Sequence, residues 1–114
     1  MIEHIAIDAK GEIVGITDEG ETVKLEKEIP YPPIDLIHTV DDMTSDDYER
    51  RFIAEYYQTK IRYDKLDAMT VKYEAGTLNF KPKCSLDLLL KQKALMGNYI
   101  RTLKIRAEIE GIKL

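Results

Sequence analysis

Two long stretches of this sequence repeat apolar residues at the spacing of an α-helix, and each stretch does so on two sides. In residues 85–110, spacings of three, four and seven residues place one row of apolar side chains on a single helix face. A second row lies roughly a quarter turn away. A helix with two apolar faces needs two neighbours. The first row is Leu86, Leu89, Met96, Ile100, Leu103 and Ala107, ending at Glu110, and the second is Leu88, Leu95, Tyr99 and Thr102, followed by Arg106.

Residues 45–75 have the same double pattern, which predicts that another helix, about 46 Å long at 1.5 Å per residue, precedes this one in the chain. One row of each helix can pair with the other in an antiparallel hairpin, and this leaves a row on each helix uncovered. A compact domain of this length has a radius of gyration of about 13 Å, so such a hairpin predicts oligomerisation. The two rows are Phe52, Tyr56, Thr59, Tyr63, Leu66, Thr70 and Tyr73, and Ile53, Tyr57, Ile61, Ala68 and Val71.

The N-terminal part alternates apolar and polar residues over 2–8, 12–17 and 22–29, with short turns between these segments. This pattern predicts a three-stranded antiparallel meander. A sheet of this size is marginal alone and is expected to pack on a helix, where it would cover one free row of the hairpin. The predicted fold class is α+β, with a small N-terminal antiparallel β-meander followed by a long antiparallel α-helical hairpin, in an oligomer.

Three prolines at positions 30, 32 and 33 predict a stiff connector, because proline fixes φ and has no N–H to donate. Ile34 to Val40 fits either a further strand or a packed loop. We expect Thr44 or Ser45 to cap the first long helix and Gly76 to end it. The predicted domains are therefore 1–43, a small β region with its proline-rich connector, and 44–114, the helical hairpin.

The charges are divided unevenly along the chain. Residues 1–47 have 13 acidic and 3 basic side chains, whereas residues 48–114 have 14 basic and 8 acidic ones. This predicts that the hairpin meets an anion, with a solvated helix face as the alternative. The acidic first part disfavours nucleic acid. No apolar run is long enough for a membrane span and no signal peptide is visible, and the single cysteine, Cys84, fits a reducing cytoplasm.

Catalytic motifs are missing from the sequence. His4 and His38 have no cysteine partner at the spacing of a metal site, and no glycine-rich phosphate loop occurs. We therefore expect no enzyme activity, no catalytic residues, no metal and no cofactor.

Ligand binding has more support. On the helix predicted at residues 85–110, three polar side chains, Lys91, Asn98 and Arg101, lie within about 80° of one another. Arg106 follows the second apolar row of this helix. Arginine offers a fork for phosphate oxygens, asparagine a donor and an acceptor, and Phe80 or Tyr57 a flat face for a purine. Each has a structural alternative: a solvated Lys91, an Arg106 paired with Glu110, a Tyr57 in the core, and a Phe80 that closes the end of the hairpin.

The segments SDDYERRFIAEYYQTKIRYDKL and LDLLLKQKALMGNYIRTLKIRAEIEGIKL, with the turn that contains Phe80 and Cys84, resemble a known family. They are similar to the helical hairpin of small phage and prophage sponge proteins that counter nucleotide-signalling immunity in bacteria. The resemblance covers residues 44–114, and RAEIEGIKL is its most specific piece. Because a small β region precedes it, the hairpin resembles the Thoeris anti-defence branch rather than the shorter anti-CBASS branch, which is a hairpin nearly alone.

This resemblance implies a homo-oligomer, a hexamer, in the cytoplasm of the infected bacterial host. The hexamer would bind cyclic ADP-ribose isomers such as gcADPR, and also cyclic di- or trinucleotides, without cleaving them. By residue type it implies ligand contacts from Arg51, Phe80, Asn98, Arg101 and Arg106. The alternative function is a phage regulatory or protein-interaction module whose free apolar rows bind another protein.

Overall fold

The computed structural model describes residues 2–7, 13–17, 22–24 and 30–114. Three short strands lie in the first three ranges: β1 (Ile2–Ile7), β2 (Ile13–Thr17) and β3 (Thr22–Lys24). They form an antiparallel sheet in the order β1-β2-β3. The remaining residues of the predicted strands, 8, 12 and 25–29, lie outside the described residues.

Residues 30–114 are 72% helical and contain no strand. A 3-10 helix (Leu36–Thr39) leads directly into the short α1 (Val40–Met43). The long helices follow as α2 (Tyr48–Ala75) and α3 (Leu86–Glu110).

The predicted α+β fold class is therefore wrong. It requires a β-meander that packs on the hairpin and shares its core, and among the described residues no strand contacts a helix. The segment at Ile34–Val40, for which a strand was one of two predictions, is a 3-10 helix that enters α1. The sequence alternates over the first 29 residues, but alternation says nothing about where a sheet packs. The predicted division into residues 1–43 and 44–114 stays a prediction.

The ends of the long helices are fixed by capping side chains and glycines. Asp47 caps α2 by accepting a hydrogen bond from the Glu49 backbone N–H at 3.0 Å, so the predicted Thr44 or Ser45 cap is wrong. A carboxylate is the stronger acceptor beside the positive end of a helix. The predicted stop at Gly76 is confirmed, since this residue has φ 75° and a Cβ would be strained there. Ser85 caps α3 through its hydroxyl oxygen, which accepts from the Leu88 N–H at 3.2 Å.

The two long helices form an antiparallel hairpin, because the start of α2 contacts the end of α3. Lys93, about a third of the way along α3, pairs with Asp67 of α2 at 2.5 Å, and Tyr48 donates a hydrogen bond to Glu110 at 2.6 Å. We call the turn at residues 76–85 the closed end of the hairpin, and the start of α2 with the end of α3 the open end.

The main apolar core lies in the half of the hairpin near the open end. Both helices and the C-terminal residues contribute to it, and Leu103 at its centre is 1% exposed. The first apolar row of α3 that was predicted from the sequence, which we call the inner row, supplies Ile100, Leu103 and Ala107. The buried cluster consists of Phe52, Tyr56, Tyr57, Ile100, Leu103, Ala107 and Ile112.

Residues 30–43, which we call the proline segment, cover the part of the second apolar row of α2 that contains Tyr57 and Ile61. The ring of Tyr31 contacts Tyr57 edge-on, with 5.8 Å between the ring centroids, and Asp35 pairs with Lys65 at 3.3 Å. Thr39 is 1% exposed and donates its hydroxyl proton to the Leu36 carbonyl at 2.6 Å. This segment therefore takes the place against α2 that was predicted for the sheet.

The second apolar row of α3, which we call the α3 outer row, stays largely exposed among the described residues, although the Tyr99 hydroxyl donates a hydrogen bond to Glu55 of α2. Leu88, Leu95 and Tyr99 are 55%, 60% and 44% exposed. The radius of gyration is 20.0 Å and the longest dimension is 62 Å. A compact domain of this length has a radius of about 13 Å, so the molecule is elongated. No helix in the described residues is long and apolar enough to cross a membrane.

Candidate ligand-binding site

A cleft of about 500 Å³ opens at the closed end of the hairpin. One wall is the last part of α2 and the other is the turn that follows Gly76. The turn folds back because two backbone N–H groups, of Thr77 and Leu78, both donate to the Lys72 carbonyl at 2.9 and 3.2 Å. The lining residues are Lys65, Ala68, Met69, Lys72, Thr77, Leu78, Asn79 and Phe80.

The lining groups match the parts of a nucleotide. Phe80 is 55% exposed and offers a ring face on which a base can stack. Asn79 has an amide that can both donate and accept a hydrogen bond. Lys65 and Lys72 are seven residues apart, which places them on one side of α2 about 10 Å apart along its axis. The cleft thus combines an aromatic face, an amide and two cations.

The two lysines differ in their surroundings. The Lys65 ammonium lies 3.3 Å from the Asp35 carboxylate, and both side chains are more than half exposed. Such an exposed pair is weak and can exchange for another anion. Lys72 has no ion pair within the described part of the chain, so its charge is available to a ligand.

A smaller cleft of about 220 Å³ lies beneath the proline segment, and Lys65 lines both clefts. Tyr57 lies at its base. Burial, together with a hydrogen bond to Tyr31, raises the pKa of Tyr57 to about 12. With 9% of its surface exposed, Tyr57 is mainly a core residue that shows one edge to this cleft.

The other residues predicted to bind a ligand lie away from the closed-end cleft. Lys91, Asn98 and Arg101 are exposed along the outside of α3, and the Asn98 carbonyl accepts from the Thr102 hydroxyl at 2.9 Å. Arg51 lies at the open end, where it donates to the Ser45 carbonyl at 2.8 Å.

Arg106 is part of a polar cluster at the open end. Its Nε donates to Glu110 at 3.1 Å and its Nη2 donates to the Tyr48 hydroxyl at 2.8 Å. The guanidinium also lies over the Phe52 ring, 4.9 Å from the centroid. The hydrogen bond from Tyr48 to Glu110, with burial as a smaller cause, raises the pKa of the Tyr48 hydroxyl. The intrahelical pairing considered from the sequence as the alternative for Arg106 is thus present in the structure.

One chain does not bring all the predicted residues together. Phe80 precedes α3 at the closed end, and Arg106 lies about 30 Å further along that helix at 1.5 Å per residue. A ligand of nucleotide size that touches both must lie between two copies of the chain.

Lys65, Lys72 and Asn79 were not predicted from the sequence. Their signal is present but weak: two lysines two helical turns apart, followed by a turn that contains an aromatic residue. The turn from Gly76 to Ser85 was predicted, but its direction was not, and this direction brings Phe80 against the side of α2 that carries the lysines. No group of three or more metal-ligating side chains occurs in the parts of the chain that the structure describes.

The comparison with known proteins concerns the same hairpin. The family model described as Sequestin matches residues 46–109, more than half of the chain. The chain belongs to the Sequestin family. No curated protein and no solved structure matches it.

The Sequestin match spans all of α2, the closed-end turn and almost all of α3, and so includes every residue of the closed-end cleft. The name of the family denotes sequestration of a ligand, which fits a sponge-type protein and agrees with the sequence resemblance at that level. The match begins after the strands and the proline segment, which lie outside the matched residues.

Proposed function

We propose that this protein is a viral immune-evasion protein that binds a cyclic nucleotide and holds it without cleaving it. The observation that supports this most is the closed-end cleft, where an exposed aromatic ring, an amide and two lysines line one space within the region matched by the family. Its volume of about 500 Å³ lies within the usual range for small-molecule sites.

The ligand class follows from the resemblance and from the charges of the cleft. Cyclic ADP-ribose isomers such as gcADPR, and cyclic di- or trinucleotides, carry a purine for Phe80 and phosphates for Lys65 and Lys72. Removing such a signal from solution would block Thoeris-type or CBASS-type defence in the cytoplasm of the infected host. Binding alone is sufficient for this role, so the proposal includes no catalytic residue, no metal and no cofactor.

The proposed sponge is a homo-oligomer, a hexamer by the resemblance. Two observations support assembly: the α3 outer row is exposed in one chain, and Phe80 lies about 30 Å of helix away from Arg106. In an oligomer, the closed end of one copy can meet the arginines of another. Arg51, Asn98, Arg101 and Arg106 would then complete a site that begins at Phe80.

Calorimetric titration with a panel of cyclic nucleotides tests the proposal. We expect the parent protein to bind at least one member. Phe80→Ala should weaken binding by about tenfold, since base stacking on an aromatic side chain is worth roughly 1 to 3 kcal/mol. Lys72→Ala should have a similar effect, since a hydrogen bond to a charged group is worth about 1.5 to 3 kcal/mol.

The matched control is Lys104→Ala, which removes an exposed lysine of α3 outside the cleft and should leave affinity unchanged. If the parent binds no member of the panel, the proposal is wrong. The exposed apolar rows would then favour the alternative, a module that binds another protein.

A further inference from the structure

The proline segment presents a regular row of exposed apolar side chains that the functional proposal does not use. We call Tyr31, Ile34, Ile37, Val40 and Met43 the proline-segment row. They recur at every third residue and are 65%, 69%, 67%, 38% and 41% exposed. Ile37 and Val40 lie on one side because a 3-10 helix has three residues per turn, and Met43 continues this side one turn along α1.

A second exposed row lies on α3. Leu88, Leu95 and Tyr99, the α3 outer row, lie about a quarter turn from the hairpin seam at Ile100, Leu103 and Ala107. Leu88 and Leu95 are exposed, and the Tyr99 ring is partly exposed while its hydroxyl donates a hydrogen bond to Glu55 of α2. Exposed apolar side chains grouped on one face mark an interaction surface more often than scattered ones do. Among the described residues, one chain therefore leaves the proline-segment row and most of the α3 outer row exposed.

The charges around the two rows are opposite. The proline segment has three acidic side chains and no lysine or arginine, and two of the three, Asp35 and Asp42, pair with bases of α2. Residues 86–106 of α3 have five basic side chains and one acid, and three of the five bases, Lys91, Arg101 and Lys104, have no ion pair within the described residues. Contact between two proline segments would bring acid to acid, and contact between two α3 outer rows would bring base to base. Contact between the proline-segment row of one copy and the α3 outer row of another buries apolar side chains and brings acidic next to basic side chains, so both effects favour it.

We infer that the proline-segment row of one copy docks on the α3 outer row of the next copy. This inference rests on the proposed homo-oligomer and names the two surfaces that build it. The contact is heterologous, so each copy donates one surface and receives the other, and repeated contacts close into a ring when the rotation allows. The acidic proline segment would lie along the basic outside of α3.

Two matched substitutions test this pairing. Ile37→Asp places a charge in the proline-segment row, and Leu95→Asp does the same in the α3 outer row. Both side chains are at least 60% exposed in one chain, so each variant is expected to keep its helical circular dichroism. Val71→Asp, at an exposed position of α2 in neither row, is the control.

Light scattering coupled to size exclusion, at micromolar concentration, should give a multiple of 13.2 kDa for the parent and for Val71→Asp. Ile37→Asp and Leu95→Asp should each run as a monomer. An equimolar mixture of these two variants should give a dimer and nothing larger, because only one intact proline-segment row and one intact α3 outer row are left to pair.

A parent that is monomeric, a single variant that keeps the mass of the parent, or a mixture that stays monomeric would each overturn the inference. Loss of assembly in only one variant would show that like rows pair with like, which also overturns it. Ligand binding by the parent is measured separately. An assembled protein that binds no cyclic nucleotide would therefore refute the proposed function and leave this contact standing.

Discussion

Arg101 and Arg106 lie five residues apart on α3, and their surroundings differ. Arg106 donates to Glu110 and Tyr48 and covers one face of Phe52, so it links the two helices at the open end. Arg101 is exposed and has no ion pair within the described residues. Sequence alone gave the two arginines the same predicted role, because a periodic pattern does not show which cation has a partner.

Replacing each arginine by alanine should separate folding from binding. We expect Arg106→Ala to lower Tm by a few degrees, since it removes an exposed network and a cation–π contact, and Arg101→Ala to leave Tm unchanged. At least one of the two should weaken binding of a cyclic nucleotide by about one to two decades, with lysine rescuing only part of the loss. Thermal denaturation and calorimetry measure the two effects, and parent-like binding by both variants would contradict the assignment of these arginines.

Tyr57 predicts a pH dependence of stability. Burial raises its pKa to about 12, compared with about 10 for an unfolded tyrosine. The fold therefore favours the neutral hydroxyl, and this contribution is complete below about pH 10 and is lost as the pH rises to about 12. We expect the free energy of unfolding to fall by about 2 kcal/mol more in the parent than in Tyr57→Phe across this range.

Denaturant titrations of the parent and Tyr57→Phe at several alkaline pH values measure this difference. The lysines titrate over the same range in both proteins and cancel in the comparison. Equal losses of stability in the two proteins would show that the Tyr57 hydroxyl is not protected by the fold.

At the scale of elements, the positions of the two long helices could be predicted from the sequence, but the segment that packs on α2 could not. The stop at Gly76 and the inner row of Ile100, Leu103 and Ala107 depend on local chemistry and helical period, which a sequence states directly. Tyr57 and Ile61 are covered by the proline segment, and which helix face this segment packs on is not a local property of the sequence. The expectation that a sheet would cover them failed for this reason.

Gly97, in the interior of α3, offers a test of the helix packing. A Cβ at this position would lie 3.5 Å from the Tyr63 ring of α2, which is ordinary van der Waals contact. Gly97→Ala should therefore stabilise the fold by about 0.5 to 1 kcal/mol through helix propensity. A decrease in the free energy of unfolding would show that the helices approach more closely here than the structure indicates.

Gly76→Ala is the opposite case on the neighbouring helix. This glycine has φ 75°, and although a Cβ would meet no atom within 4 Å, a side chain is strained in the left-handed conformation. We expect a loss of about 1 kcal/mol, because the C′ position of a helix favours glycine. The two alanine variants should thus shift Tm in opposite directions, and a shift in the same direction would contradict the assigned backbone geometry.

At the scale of the whole molecule, an elongated hairpin separates groups that one ligand would need together. Phe80, Lys65 and Lys72 lie at the closed end, and Arg51 and Arg106 lie at the open end. The sequence could predict a basic, ligand-binding hairpin with spare apolar rows, since charge and period are local properties. It could not predict the cleft, because the approach of Phe80 to the lysines depends on the direction of a turn.

The central claim is that the protein withholds a cyclic nucleotide without altering it. The most direct measurement incubates the protein with the cyclic nucleotide that it binds, removes the complex by filtration, and heats the recovered protein to release the ligand. We expect the nucleotide to be depleted from the filtrate and to return after denaturation with its original mass and chromatographic retention. Recovery of a linearised or hydrolysed product that forms only in the presence of the protein would contradict the account.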